Sequence, residues 1–302
     1  MYFPILRGKQ HELSALKELA LTNSFDKFLP IIEPVKKNIK DLLLSVKKLN
    51  DKKIRPIIII NPDLGEYKNN YDLFYTLIET STIDIDYLPC INMNNPNSEY
   101  FLNKFEKFSL IFDEYYELNT KHLDQAQFVF LPQDTKESII GKVNNVVLYG
   151  DFFPKIKRNA DYPHESLLTD LNVIFKSKKN VIGYGDFTIT PKKYSNGGGP
   201  AFVVAIHSTY TDSNRNNTKY VKHYLSYDDD STDNVGKKFL DAVNKFLQDV
   251  DSQKVPYFET SAINDFRHYT NRKHYPGLGI SKKISIKHHI ETVNEFLLSY
   301  ST

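Results

Sequence analysis

Eight short apolar runs constrain this chain more than any other feature. They occupy residues 2–6, 28–32, 57–60, 87–91, 109–112, 128–131, 145–149 and 180–184, and each ends in a polar, charged or turn-forming residue. Apolar runs of four to six residues bounded by turn signals read as buried strands. The third, Ile57-Ile58-Ile59-Ile60, has no polar alternation, as expected of a strand covered on both faces. Helical spacing fills several of the gaps, as at Leu13, Leu16, Leu19 and Ala20, and at Ile39, Leu42, Leu43 and Val46. The gaps between runs five, six and seven leave room only for short helices. A helix is expected near residues 166–175. Strands alternating with helices eight times over predict an α/β fold, a (β/α)8 barrel of the TIM type, rather than an open doubly wound sheet.

Residues 190 to about 282 exceed what a single barrel loop needs. They open on the turn sequence Tyr194-Ser195-Asn196-Gly197-Gly198-Gly199-Pro200. Strand-like runs at 201–206 and 220–225 follow, separated by a polar loop at 211–217, and then an amphipathic helix at 237–250. The expected organisation is a barrel of residues 1–190 and 283–302, closed by a last helix at 284–298. Residues 191–282 form an insertion subdomain after strand eight.

Two runs end alike. Tyr149-Gly150-Asp151-Phe152 and Tyr184-Gly185-Asp186-Phe187 repeat the same four residues at the ends of strands seven and eight. In a barrel, carboxylates just past the strands line the C-terminal mouth, where barrel enzymes carry their chemistry. Asp151 and Asp186 are therefore expected to face one space. The other strand ends add Arg7, Lys9, Glu33, Asn61, Asp63, Asn92 and Asp113 to that ring. Asp63, Asp151 and Asp186 are the candidate ligands of a hard divalent cation, Mg²⁺ or Mn²⁺, and Glu33 joins Asp151 and Asp186 as candidate acid–base groups. Strand-to-loop junctions also favour Asp and Asn for turns and helix caps, so each residue has a plainer reading.

A second constellation lies in residues 267–289, where Arg267, Arg272, Lys273, Lys282, Lys283 and Lys287 occur with no acidic residue before Glu291. Gly277 and Gly279 precede the last helix, and glycines at a helix start expose N–H groups that suit an anion. Arg7, Lys9, Asn61, Arg272, Lys273, Gly277 and Gly279 are thus candidate ligand-binding residues for a phosphate-bearing small molecule or a nucleic acid. His164, His207, His288 and His289 read as surface or hydrogen-bonded histidines. Aromatic residues at the strand ends, Tyr115, Tyr116, Tyr149, Tyr184 and Tyr194, could stack on a base.

Composition narrows the classes. With 39 Lys and Arg against 37 Asp and Glu the net charge is +2, so any basic footprint is local. One cysteine, Cys90, excludes an internal disulfide framework, and its apolar surroundings suit a buried thiol. No run approaches the ~18 apolar residues of a membrane span, and no leader precedes the first strand, so a cytoplasmic protein with no membrane partner is expected. No P-loop, nucleophile elbow or Cys-x-x-Cys pattern occurs.

The opening Met1-Tyr2-Phe3-Pro4-Ile5-Leu6-Arg7-Gly8-Lys9-Gln10 and the following Glu12-Leu13, Ala15-Leu16-Lys17-Glu18-Leu19 resemble the phage and bacterial "beta protein" family. Ile32-Glu33-Pro34 and the two Tyr-Gly-Asp-Phe stretches are similar to it as well. The resemblance implies a role in phage–host conflict and carries no catalytic residues with it. Two functions remain open on the residues. One is metal-assisted hydrolysis of a phosphoester at the barrel mouth; the other is a non-catalytic binding module for a nucleic acid or protein partner.

Overall fold

A computed structural model describes residues 1–22, 27–114, 120–195 and 201–300. Tyr115, Tyr116 and the 196–200 part of the glycine-rich turn lie outside the described residues. The chain divides into two compact units, Met1–Asp151 with Ile174–Phe187, and Phe152–Val173 with Thr188–Thr302.

The first unit is a closed parallel barrel. Its strands are β1 (Tyr2–Leu6), β2 (Ile31–Ile32), β3 (Ile57–Ile59), β4 (Leu88–Asn92), β5 (Phe108–Ile111), β6 (Ala126–Pro132), β7 (Val146–Gly150) and, after the excursion of β8 (Glu165–Thr169), β9 (Val181–Asp186). These are the eight runs read from the sequence, and the fold is the expected (β/α)8 barrel. Helices α1 (Gln10–Leu19), α2 (Lys40–Asn50), α3 (Leu73–Glu79), α4 (Ser98–Leu102), α5 (Thr120–Gln125) and α6 (Glu137–Ile140) alternate with the first seven strands, the last two short as the spacing requires. Helix α1 buries Leu13, Ala15, Leu16 and Leu19, the i, i+3 stripe of its sequence.

Side-chain alternation divides each strand between the barrel interior and its outer surface. Phe3 and Ile5, Ile57 and Ile59, Leu88 and Cys90, and Val147 and Tyr149 share one interior cluster with Ile31, Ile111, Phe130 and Phe187. The intervening Ile58 and Ile60 are equally buried on the outer side. That is why the isoleucine run shows no polar alternation.

Closure brings β9 beside β1, with Tyr2 opposite Tyr184 and Pro4 opposite Asp186. Gly183 and Gly185 occupy the interior face there. A Cβ on Gly185 would lie 2.5 Å from the Phe3 carbonyl oxygen, and one on Gly183 would collide with the Met1 carbonyl and the Phe3 ring. The seam is closed by bare backbone.

The second unit contains a three-stranded antiparallel sheet in the order β10 (Ala205–Asp212), β11 (Thr218–Leu225), β8. Helices α8 (Val235–Asp251), α9 (Ser261–Asn271) and α10 (Leu278–Ser299) belong to this unit. The short α7 (Leu171–Ile174) follows β8. Helix α8 buries Phe239, Ala242, Val243, Phe246, Leu247 and Val250 at helical spacing, against Ala262, Ile263 and Phe266 of α9 and Ile206 and Tyr224 of the sheet.

Three local expectations differ from the structure. The helix expected at 166–175 begins instead as β8, because Ser166 and Leu167 pair with Val221 and Tyr220 of β11. Long-range pairing overrides a segment whose apolar spacing is compatible with a helix. The strand expected at 201–206 runs from Ala205 to Asp212, since Thr209, Thr211 and Asp212 continue the ladder to Val221, Lys219 and Thr218. The turn is only Ser213–Arg215, followed by Asn216 and Asn217 at φ 56° and 57°. The final helix, expected at 284–298 as the barrel's eighth, spans Leu278–Ser299 and is grouped with the second unit.

Because the seam tolerates no Cβ, Gly185→Ala should destabilise the protein by about 2 kcal/mol, the usual range for overpacking being ~1–3. A denaturant titration read at its midpoint measures this.

Candidate functional site

The repeated Tyr-Gly-Asp-Phe stretches are not equivalent. Strand β7 pairs with β9 so that Leu148 faces Tyr184, Tyr149 faces Gly185 and Gly150 faces Asp186. The motifs are offset by one residue, and a one-residue offset moves every side chain to the opposite face. Tyr149 points into the barrel and Tyr184 out of it. Asp151 continues the interior row of Val147 and Tyr149, whereas Asp186 lies on the outer side. There it is 2 % exposed and accepts the Tyr2 hydroxyl at 2.6 Å. The expectation that Asp151 and Asp186 share one space is therefore overturned, and Asp186 is a structural carboxylate. Burial first, and the Asp186 charge second, hold the Tyr2 hydroxyl well above its ordinary pKa.

The interior rows of the first unit converge instead on Arg7, one residue past β1. Its guanidinium pairs with Glu33 and lies over the Phe187 ring, 4.6 Å from the centroid. The backbone N–H of Arg7 donates to Glu12 Oε2 at 2.5 Å. Arg7, Glu12 and Glu33 are all buried. Burial lowers the Arg7 pKa to about 10, opposed by Glu12, Asp113, Asp151 and Tyr149 within electrostatic reach, so the group stays charged at neutral pH. The Tyr149 hydroxyl donates to the Phe112 carbonyl at 2.8 Å and lies 3.1 Å from Asp113 Oδ1. Asp113 and Asp151 are exposed. One cation thus sits among four carboxylates, two buried and two open to solvent.

The remaining candidates have other surroundings. Asn61 is fully buried and joins the ends of β3 and β4: its Nδ2 donates to the Asn92 carbonyl at 3.0 Å and its Oδ1 accepts the Asn92 N–H at 2.8 Å. Asp63 accepts the Asn69 N–H at 3.1 Å within its own loop. Lys9 is half-buried at the N-terminal boundary of α1. Arg272 and Lys273 are exposed at the C-terminal end of α9, where cations oppose the helix dipole. Gly277 precedes α10 at φ 97°, with open space where a Cβ would go, so backbone conformation rather than room favours glycine there. Gly279 lies in the first turn of α10. These four belong to the second unit, whereas Arg7, Lys9, Glu33, Asn61, Asp63, Asp151 and Asp186 belong to the first. Among the described residues no group of three or more His, Cys, Asp or Glu is arranged to hold a metal ion, and no helix is long and apolar enough to cross a membrane.

Sequence reading missed Glu12, Tyr149 as the partner of Asp113, and Phe187 as the surface beneath Arg7. The alternation Val147, Tyr149, Asp151 was the available signal, and it separates Asp151 from Asp186 once β7 and β9 are in register. Cys90 is the buried thiol expected, its pKa pushed up by burial alone. No family model, curated protein or solved structure matches the chain.

In the second unit His207, His223, His288 and His289 are held by side-chain hydrogen bonds. His288 lies between the Thr260 hydroxyl, 2.8 Å from Nδ1, and the Thr209 carbonyl, 3.0 Å from Nε2. Burial lowers its pKa to about 3.

Three outcomes follow from this chemistry. Asp186→Ala removes the acceptor of a buried hydroxyl and should cost about 1–3 kcal/mol in a thermal or denaturant melt. Cys90 should resist iodoacetamide in the native protein and react once it is unfolded, as read by mass spectrometry. The histidines with depressed folded pKa values, about 3 for His288 and His207 and about 4 for His223, bind protons more readily when unfolded. Their contribution is present above ~6.5 and is lost as pH falls towards 3. Denaturant midpoints should therefore drop between pH 7.5 and pH 5.

Proposed function

We propose that the barrel mouth binds a phosphate ester chelated to a divalent cation and hydrolyses it. The observation that carries this reading is the charge arrangement around Arg7. A guanidinium held between Glu33 and the Phe187 ring suits a phosphoryl oxygen. The exposed carboxylates of Asp113 and Asp151 suit the cation that travels with the phosphate. Mg²⁺ ordinarily takes one or two protein carboxylates and completes its shell with substrate phosphates and water, so a protein cage of three ligands is not required. When bound, the cation polarises the phosphoryl oxygen. Hydrolysis would form a bond from the water oxygen to phosphorus and break the ester bond, a proton of the water leaving with the alcohol. Asp113 and Asp151 replace the pair Asp151 and Asp186 in this role. Tyr149 orients Asp113 through its hydroxyl. The setting proposed with it, cytoplasmic and in phage–host conflict, rests on the resemblance of the N-terminal sequence and Ile32-Glu33-Pro34 to the beta protein family.

A binding module for nucleic acid or protein is the competing reading, favoured by the exposure of Arg272 and Lys273. Turnover of a mixed nucleotide and short-oligonucleotide pool, with and without Mg²⁺ or Mn²⁺, separates the two. The hydrolase reading expects metal-dependent product, reduced about 100-fold or more by Asp113→Asn and by Asp151→Asn and retained in Asp186→Asn. No product from the folded protein, with nucleic acid retained until Arg272 and Lys273 are both changed to Glu, supports the binding module instead.

A further inference from the structure

The second unit contains a hydrogen-bonded chain that the barrel mouth does not use. Ser166 Oγ lies 2.9 Å from His223 Nε2, and His223 Nδ1 lies 2.7 Å from His207 Nδ1. The three residues come from adjacent strands. Ser166 of β8 pairs with Val221 of β11, two residues before His223, and His223 sits directly opposite His207 of β10. All three therefore lie on one face of the sheet. Tyr162 packs its ring 4.6 Å from His223 and 4.7 Å from His207, and Phe153 lies 5.0 Å from His207, so both imidazoles are fixed in orientation. Ser166 is half-buried on an edge strand.

We propose that Ser166, His223 and His207 form an acyl-transfer site, with Ser166 as nucleophile, His223 as its base and His207 as the residue that positions the base. A hydroxyl within reach of an imidazole that is itself oriented by a third group is the arrangement that activates a serine. Of the two adjoining Nδ1 atoms one must carry a hydrogen. When His223 donates, His207 accepts on Nδ1 and keeps its own proton on Nε2. His223 Nε2 is then an acceptor aimed at the Ser166 hydroxyl. Burial keeps both rings neutral at pH 7, with His223 and Lys282 adding to the effect at His207.

In the step itself Ser166 Oγ bonds to the acyl carbon and its proton passes to His223 Nε2. The carbon–leaving-group bond breaks, and that proton leaves with the alcohol or thiol. Water then attacks the acyl-serine, His223 takes its proton, and the acid departs as the proton returns to Ser166. A neutral histidine stabilises the transient imidazolium less than a carboxylate would. The substrates that fit are acyl groups with good leaving groups, aryl esters and thioesters, rather than amides.

The test is covalent labelling of the full chain with a fluorophosphonate, in which Oγ–P forms, P–F breaks and fluoride leaves. Peptide mapping identifies the modified serine, and p-nitrophenyl acetate hydrolysis gives the rate. An adduct on Ser166 is expected, absent in Ser166→Ala. His223→Gln should lower the rate about 100-fold. His207→Leu should also lower it, while His207→Asn, whose Oδ1 accepts the same hydrogen bond, should restore it. A merely structural His207 would not discriminate the two variants in this way. Folded wild-type protein without an adduct on Ser166 overturns the proposal whatever the variants do. So does a labelling rate in folded His223→Gln equal to that of wild type. Asp151→Asn should label as wild type does, which keeps this result independent of the barrel mouth.

Discussion

The barrel exists because one strand can lie against another with no side chain between them. Strand β9 must pass beside β1 to close the ring, and on the interior face of that seam its residues are Gly183 and Gly185. Everything else in the first unit follows from closure. It removes the sheet edge and fixes which residues of every strand point inward. It also sets the register between β7 and β9, which decides which carboxylate reaches the mouth. Gly185 looks like part of a repeated motif, but Gly183 stands where the other copy has Leu148, and only the steric demand of the seam accounts for both.

How much of this was legible varies with the physics involved. The strands could be read because each is a continuous apolar run, and burial on both faces is a local property of sequence. The isoleucines at 57–60 announce it unaided. The pairing of Asp151 with Asp186 was misread because identical flanks suggest identical placement, whereas placement depends on a register that only the neighbouring strand sets. Strand β8 was misread for a related reason. Its partner, β11, is far along the chain, and its own spacing is compatible with a helix. Arg7 was legible as a strand-end residue. Its immersion among Glu12, Glu33, Asp113 and Asp151 was not, since Glu12 lies in a helix and reaches back to the Arg7 backbone.

The two units manage polar burial differently. In the barrel mouth a charged centre is kept ionised by carboxylates around it, and an unpaired guanidinium at that depth would be costly. In the second unit the buried polar groups are mostly neutral, with His207, His223 and His288 held by hydroxyl, carbonyl and imidazole partners. The first arrangement suits ions and phosphates; the second suits proton transfer between neutral partners. The sequence describes both only as scattered polar residues, because the partners of each are brought together by strand pairing.

The place of β8 in the chain has a consequence for synthesis. Its residues, 165–169, lie between two barrel strands, yet the strand it pairs with begins at Thr218, about fifty residues later. During translation β7 and β9 can complete the ring while β8 is still an unsatisfied edge. Nascent chains whose emerged part ends between residues 190 and 218 would carry a finished barrel and one exposed strand, the form most open to pairing with another copy. The exposure of that edge is thereby confined to a single stretch of elongation, and it ends when β11 leaves the ribosome and pairs with β8.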